Sequence, residues 1–405
     1  MSQSIVVIGA GQAGGWAART LRDQGHDGRI VLVGRECRPP YERPPLSKGI
    51  LDGVTAPEAA TIFAKSVLEQ LAIEWRAPVE CLSIDRGKRH VLLSDRSTIA
   101  YDKLILCTGG RARPLSLPGG NLPGVFQLRS MEDALAIAAR LEPGKRLVAV
   151  GGGWIGLEVA ATANMRGLDV TIVEADARLC ARTVPPQASS YLLSLHEQHR
   201  TQVLLGCDIE RIEPDSAGGL VVVLKDGRVL PADIIVAGIG LLPNDELARD
   251  AGLECRGGII VDTQCRTSDE RIFAAGDVTL AYNHWHDRRL RLESWQNAQD
   301  QGIAAAKAAL GINIQYDPLP RFWSDQYGIR IQMLGCPNSE RGIPIVRQGR
   351  EAGHFMVFCV DSSRLLGAFS VNAASDLREA RRILMSGRPV APAALADPTF
   401  DLADL

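Results

Sequence analysis

Residues 5–14 read IVVIGAGQAG, and residues 147–156 read LVAVGGGWIG. Each is a short β-branched apolar run, then Gly-x-Gly-x-x-Gly, then an alanine-rich stretch with helical spacing. In the first copy the strand ends at Gly9, where the chain must turn tightly. Gly11 lets the backbone approach a pyrophosphate, and Gly14 lets the following helix, over 12–24, pack closely on the sheet. That helix turns its N-terminal amides and positive dipole end toward the phosphates. Gly151, Gly153 and Gly156 take the same places ahead of a helix over 154–166. A lone motif of this kind is weak evidence. Here each copy is followed by a further apolar strand, 30–33 or 170–173, and by an acidic residue, Glu36 or Glu174. Two such devices imply two dinucleotides. Glu174, closing the strand VTIVE, is placed to bind an adenosine ribose and to repel a 2′-phosphate, which favours NADH over NADPH. Arg178 and Arg182 stand close by and act against that preference.

The chain has 405 residues, 46% hydrophobic and 23% charged, with a formal net charge of −2. That length suits two or three domains, and the charge balance argues against nucleic acid as the main partner. The start MSQS has no basic segment or cleavage site, and the longest apolar runs, such as 234–242, are far too short to span a bilayer. The sequence therefore reads as a cytoplasmic protein without a membrane partner. Nine cysteines, no two spaced C-x-x-C, remove the redox dithiol and the common metal knuckles. His284 and His286 lack neighbouring ligands, so no metal is expected.

Three further segments end strands in glycine turns: YDKLILCTGG (101–110), IIVAGIGLLPN (234–244) and TSDERIFAAGD (267–277). Alone, each is an ordinary strand–turn boundary. In this order they resemble the two-dinucleotide flavoproteins of the glutathione-reductase type, over essentially the whole chain. Within that superfamily the segments RPPLSK (43–48), LRSMEDA (128–134), GGGWIGLEVAATA (151–163), AAGDV (274–278), ESWQNA (293–298) and FWSDQY (322–327) resemble the ferredoxin reductases of bacterial oxygenase systems.

The resemblance implies an α/β fold with two Rossmann-like dinucleotide-binding domains and a C-terminal α+β domain. The order would be an FAD-binding domain (1–110), an NAD-binding domain (111–240), the rest of the FAD domain (241–315) and an interface domain (316–405). It implies FAD contacts at Gly9, Gly11, Ala13, Gly14, Arg43, Lys48, Val79, Thr108, Gly109, Arg129, Asp277, Trp295 and Trp323. NADH contacts are implied at Gly151, Gly153, Ile155, Gly156, Glu158, Glu174 and Gly238. Relatives often carry an acidic residue directly after the glycine of the second strand, where this chain has Gly34-Arg35-Glu36. Either Glu36 meets the ribose one position later, or Arg35 reaches the adenosine phosphate.

The implied reaction is hydride transfer from NADH to flavin N5, then release of single electrons to a 2Fe–2S ferredoxin, Rieske-type or adrenodoxin-type. That ferredoxin would feed an aromatic-ring dioxygenase or a cytochrome P450. The resemblance also implies a catalytic ion pair between Lys48 and Glu158, and a monomer or weak homodimer. Beyond residue 316, runs at 329–334, 343–346, 354–360 and 365–371 predict an antiparallel sheet, covered by a helix over 375–385. Arg321, Arg330, Arg341, Arg347, Arg350, Arg378, Arg381 and Arg382 could form a docking face for an acidic ferredoxin. An NADH oxidase or disulfide reductase would need a cysteine in the stretch PPLSKGIL, which has none. A quinone reductase would need an amphipathic anchor, and a non-enzymatic flavoprotein would bring an added basic region. None of these is seen.

Overall fold

β-Branched and leucine-rich runs with no polar face are suited to central strands of a parallel sheet, buried on both sides. The computed structural model, which describes residues 3–216, 218–349 and 353–405, contains two such sheets. The chain divides into two units: residues 1–43, 57–111 and 241–318 form one, and 44–56, 112–240 and 319–405 the other.

In the first unit five parallel strands run in the order Ile272–Ala274, Lys103–Leu106, Ile5–Ile8, Ile30–Val33, Ile73–Arg76. All four residues of Ile5–Ile8 and of Ile30–Val33 are buried. Helix Gln12–Asp23 packs on helix Trp295–Ala309, whose buried face is mostly alanine. The approach is close: a Cβ at Gly302 would lie 2.4 Å from the Ala13 carbonyl oxygen. The antiparallel strands Cys81–Asp85, His90–Leu93 and Thr98–Ala100 add one small sheet to this unit, and Ile259–Val261, Thr279–Asn283 and Arg288–Leu290 add another.

The second unit repeats the arrangement. Its parallel order is Gln202–Leu204, Asp169–Val173, Arg146–Val150, Ile234–Ala237, Val125–Gln127. It also contains the C-terminal antiparallel sheet, in the order Arg321–Gln326, Ile329–Gly335, Arg364–Val371, Phe355–Asp361, Ile343–Gln348. Helix Ala374–Ser386 lays Leu377, Ala380, Ile383 and Leu384 on it. The strand Arg321–Gln326 goes beyond the four that periodicity predicts. Its polar run reads poorly as a strand because Ser324 and Gln326 are buried for their hydrogen bonds. Among the described residues no helix is long and apolar enough to cross a membrane, and no cluster suits a metal ion.

The arginine face changes on inspection. Arg347 is buried, 4% exposed, and does not belong to any surface. Arg330 pairs with Asp325 at 3.0 Å, and Arg382 pairs with Glu379 at 2.9 Å. Arg341, Arg378 and Arg381 are exposed, Arg321 is half-buried, and Arg350 lies outside the described residues.

Candidate functional site

The first glycine turn has the steric logic of a phosphate cradle. Gly9 has φ +107°, and a Cβ there would lie 2.1 Å from the Cys107 carbonyl oxygen. A Cβ at Gly14 would lie 1.8 Å from the Gly9 oxygen, so helix and turn meet backbone to backbone. At Gly11 a Cβ would meet nothing within 4 Å. The one position that needs glycine for neither strain nor packing is the one a pyrophosphate would approach, at the start of a twelve-residue helix. These residues fit the phosphates of a dinucleotide.

Around this turn the first unit gathers most of the implied flavin residues. Ala13 lies against Gly276, whose own Cβ would come within 3.0 Å of the Ala13 methyl. That glycine precedes Asp277. Gln301 Oε1 fixes the same turn by accepting from the Gly276 amide at 2.9 Å and from Thr279 Oγ1 at 2.8 Å. The Thr108-Gly109 turn is clasped by Asn244: Thr108 Oγ1 donates to the Asn244 carbonyl at 2.7 Å, and Asn244 Nδ2 donates to the Thr108 carbonyl at 2.9 Å. Val79 spends its amide on the Gly34 carbonyl at 2.8 Å. Trp295 opens its helix directly after the cap Ser294.

Glu36 and Arg35 part company. Glu36 accepts from Arg43 at 2.7 Å and from the Tyr41 hydroxyl, whereas Arg35 is exposed, 3.9 Å from Glu80. Burial alone would lower the Arg43 pKa. Tyr41, Glu36 and Asp277 outweigh it, and the net shift is upward. Arg43 thus couples electrostatically to the end of the second strand and to Asp277.

The second copy repeats the sterics. Gly151 has φ +103°, with a Cβ position 2.7 Å from the Gly238 oxygen, and a Cβ at Gly156 would lie 2.0 Å from the Gly151 oxygen. Gly153 would meet only the Gly238 oxygen, at 3.8 Å. A Cβ at Gly238 would press on the Gly156 amide nitrogen at 3.1 Å, so Gly238 makes room for the helix start. Ile155 stands 43% exposed on the first turn of Trp154–Met165. The Glu174 carboxylate accepts from the Gly152 and Asp176 amides, which fixes it beside the turn. Arg178 is committed elsewhere, donating to Val184 O at 2.6 Å, Ala181 O at 2.7 Å and Ser189 Oγ at 2.9 Å.

Lys48, Arg129 and Trp323 belong to the second unit. The Arg129 amide donates to Asp133, the acidic member of a capping box with Ser130. Trp323 lies beneath the Arg330 guanidinium, 5.7 Å from its ring centroid. Lys48 follows the short 3-10 helix Pro44–Ser47 and pairs with Glu158 at 2.6 Å. Glu158 is the one charged residue in the buried run 156–163. Its Oε2 accepts from Lys48 Nζ and from Ser47 Oγ, and its Oε1 accepts from Ser324 Oγ at 2.6 Å. One turn on, Thr162 Oγ1 donates to the Ser47 carbonyl at 2.8 Å. A buried carboxylate is tolerated only when paired and hydrogen-bonded, and here both oxygens are served.

Sequence reasoning missed the groups behind this pair. Ser324 accepts from Gln326 Nε2 at 3.1 Å, and Gln326 Oε1 meets His196 Nε2 at 2.9 Å. The alternation of FWSDQY puts Ser324 and Gln326 on one strand face, which was a usable signal; nothing flags His196. Burial depresses the His196 pKa to about 4, the Gln326 bond opposing and His199 adding to the drop. An unfolded histidine near 6.5 binds a proton that the native one refuses until about pH 4. This contribution is therefore constant above pH 6.5 and declines as pH falls toward 4, by up to about 3 kcal/mol. Half-buried His286, also depressed, adds in the same sense. Denaturant midpoints measured against pH should show a shallower decline in His196→Gln than in the parent; equal slopes would contradict it.

Six of the nine thiols are held protonated by burial. Burial pushes Cys81 and Cys107 up to about 12 and Cys255 up to about 11, and it raises Cys180, Cys265 and Cys359 as well. A thiol held protonated is a poor nucleophile.

Residues 3–302 match the family model described as pyridine nucleotide-disulphide oxidoreductase, and residues 321–405 match the one described as reductase C-terminal. Rhodocoxin reductase of Rhodococcus erythropolis is 40% identical over 98% of this chain and 93% of its own length. The ferredoxin–NAD(+) reductase component of the anthranilate 1,2-dioxygenase system of Burkholderia cepacia is 38% identical over 98% of each. The crystal structure of the covalent putidaredoxin reductase–putidaredoxin complex aligns with a TM-score of 0.95 at 35% identity, covering 99% of this chain and 97% of that one. The chain is thus an oxidoreductase of the pyridine nucleotide-disulphide family and belongs, within it, to the FAD- and NAD(H)-dependent ferredoxin reductases of bacterial oxygenase systems.

Proposed function

We propose that this enzyme oxidises NADH and passes single electrons to an acidic 2Fe–2S ferredoxin, Rieske-type or adrenodoxin-type, that serves an oxygenase. The observation that carries this reading is the pair of glycine cradles in one chain, with the Cys107 thiol beside the first of them held protonated by burial. FAD, when bound, accepts two electrons as hydride and can release them singly. The chain supplies the binding and the charge. Gly9, Gly11 and Gly14 open the helix end to one pyrophosphate, and Asp277 accepts flavin sugar hydroxyls. Gly151, Gly153 and Gly156 open the second helix end, Ile155 offers it an apolar contact, and Glu174 accepts the adenosine ribose hydroxyls. Lys48, held by Glu158, would supply positive charge to a flavin that gains electrons, and Trp323 would supply an aromatic surface. Glu36, already bonded to Arg43, supports the adenosine contact better than exposed Arg35 does. Nine free thiols suit a cytoplasmic setting.

Anaerobic stopped-flow absorbance tests this: NADH should bleach the flavin rapidly, and oxidised ferredoxin should restore it. Recovery only with oxygen or a disulfide would move the protein to the oxidase or disulfide-reductase class. Selectivity should follow Glu174, because a 2′-phosphate would meet a fixed carboxylate. Glu174→Ala is expected to raise the NADPH-to-NADH ratio of kcat/KM by at least about tenfold, since a like-charge contact costs several kcal/mol. An unchanged ratio would assign selectivity elsewhere. Arg378 and Arg381, exposed on helix Ala374–Ser386, with Arg341, form the basic face proposed for docking. Raising salt from about 0.05 to 0.5 M should slow ferredoxin reduction several-fold while leaving NADH-dependent bleaching little changed. A flat salt profile would remove the face from the account.

A further inference from the structure

We propose that Ser324, Gln326 and His196 are positioning residues: they fix one direction of hydrogen bonding along a buried chain, so that Glu158 only receives hydrogen bonds where it meets Lys48. The proposal rests on the reading that the Lys48–Glu158 pair takes part in flavin reduction.

The chain runs from Lys48 through Glu158, Ser324 and Gln326 to His196, Tyr327 and Thr201. Its links are 2.6 Å (Lys48–Glu158), 2.6 Å (Glu158–Ser324), 3.1 Å (Ser324–Gln326), 2.9 Å (Gln326–His196), 3.2 Å (His196–Tyr327) and 3.1 Å (Tyr327–Thr201). Ser324 and His196 are 0% exposed, Gln326 1% and Glu158 3%. An unmade bond would therefore leave a buried polar group without a partner.

Hydrogen positions follow from this requirement. The Glu158 carboxylate can only accept, so Ser324 must spend its single proton on Oε1. Its oxygen then has to be served by a donor, which turns the Gln326 amide NH2 toward Ser324 and the Gln326 oxygen toward His196. That oxygen needs a donor in turn, so neutral His196 carries its proton on Nε2. Nδ1 is left as an acceptor for the Tyr327 hydroxyl, the group that ends the buried series with Thr201 behind it and the His199 ring stacked on it at 3.7 Å. One decision, made at Glu158, sets every link as far as Tyr327. The reverse also holds: a donor in place of the Glu158 oxygen would turn over each link and move the histidine proton to Nδ1. Burial keeps His196 neutral, and a cationic imidazole, donating from both nitrogens, would leave no acceptor for Tyr327. The consequence for Lys48 is geometric. Three donors converge on Glu158 and none is received from it, so the carboxylate has one rotamer and offers the ammonium a fixed acceptor.

The test uses the flavin-loaded enzyme labelled with 15N-histidine. Long-range 1H–15N correlation should show His196 neutral with its proton on Nε2 between about pH 6 and 8. In Glu158→Gln the amide oxygen stays with Lys48 and the NH2 turns to Ser324, so the His196 proton should appear on Nδ1, three links away. A parent enzyme with Nδ1–H, or a tautomer that Glu158→Gln does not move, overturns the proposal. Kinetically, Gln326→Leu should slow NADH-dependent flavin reduction about tenfold with KM for NADH nearly unchanged, as expected when a charged group loses its alignment. It should add no further loss to Glu158→Gln; multiplying losses would mark a merely structural role and overturn the positioning claim. Ser324→Ala, a smaller change, serves if Gln326→Leu does not retain flavin. A tautomer switch together with parental flavin reduction in Glu158→Gln would instead locate the failure in the Lys48–Glu158 reading and remove the positioning role with it.

Discussion

Gly11→Val is expected to give a folded chain that has lost most of its flavin. The Gly11 backbone lies at φ −87° and ψ −161°, a conformation open to any residue, and a Cβ there meets nothing within 4 Å. The fold therefore has no objection to the side chain. A branched group would instead occupy the space between the helix amides and an approaching pyrophosphate. Losing two charge-assisted hydrogen bonds, about 1.5–3 kcal/mol each, weakens FAD binding about 100-fold or more. The ratio of flavin to protein absorbance after gel filtration measures this, with far-ultraviolet dichroism confirming the fold. The internal duplication supplies the control: Gly153→Val should keep its flavin and raise KM for NADH. Full flavin content in Gly11→Val would mean the phosphates do not approach at this glycine. Gly14→Val should behave differently and fail to fold stably, since its Cβ would fall 1.8 Å from a backbone oxygen.

Arg347→Met should produce the largest loss of stability in the C-terminal sheet. The Arg347 side chain is 5% exposed and pairs through Nε with Asp376 at 3.1 Å. Its other nitrogens donate to the carbonyls of Asp397 at 2.6 Å and Phe400 at 2.9 Å, with longer bonds to Leu395 and Ala394. One planar fork thereby ties the segment 394–400 to strand Ile343–Gln348. Methionine fills a similar volume but leaves several carbonyls and a carboxylate without their donor, an expected loss of about 3–5 kcal/mol. Lysine should rescue little, because a single ammonium cannot span those acceptors. Limited proteolysis should cut the variant within 391–405 well before the parent. A parental digestion pattern and midpoint would show that the carbonyls find other donors.

The two glycine cradles were legible in the sequence because their demands are local: the first and third glycine of each are required by a backbone oxygen a few residues away or just past the neighbouring strand, and the second faces open or nearly open space. The implied ion pair of Lys48 with Glu158 was legible only through resemblance, since 110 positions separate the two and no pattern in either segment points to the other. The geometry supports it, and an acidic residue inside an otherwise apolar, alanine-rich helix was the physical hint. Ser324 and Gln326 were read as part of a motif without a role, because polar residues inside a strand look like solvent-facing ones until their partner is known. Helix Pro186–Gln198 has several small and polar residues on its buried side, so the depth of His196 could not be inferred from spacing. The arginine face was overcounted for a related reason: composition cannot tell an arginine that meets solvent from one that ties down a chain terminus.

Residues 44–56 leave the first unit and return to it, packing meanwhile with the second: Ser47 and Lys48 bond Glu158, and Arg166 reaches the Leu51 carbonyl at 3.2 Å. Anyone building chimaeras between relatives would naturally exchange 112–240 as a cassette. Such a graft would part a buried carboxylate from the lysine and serine that evolved beside it. A workable exchange has to carry three separate stretches of chain together, 44–56, 112–240 and 319–405.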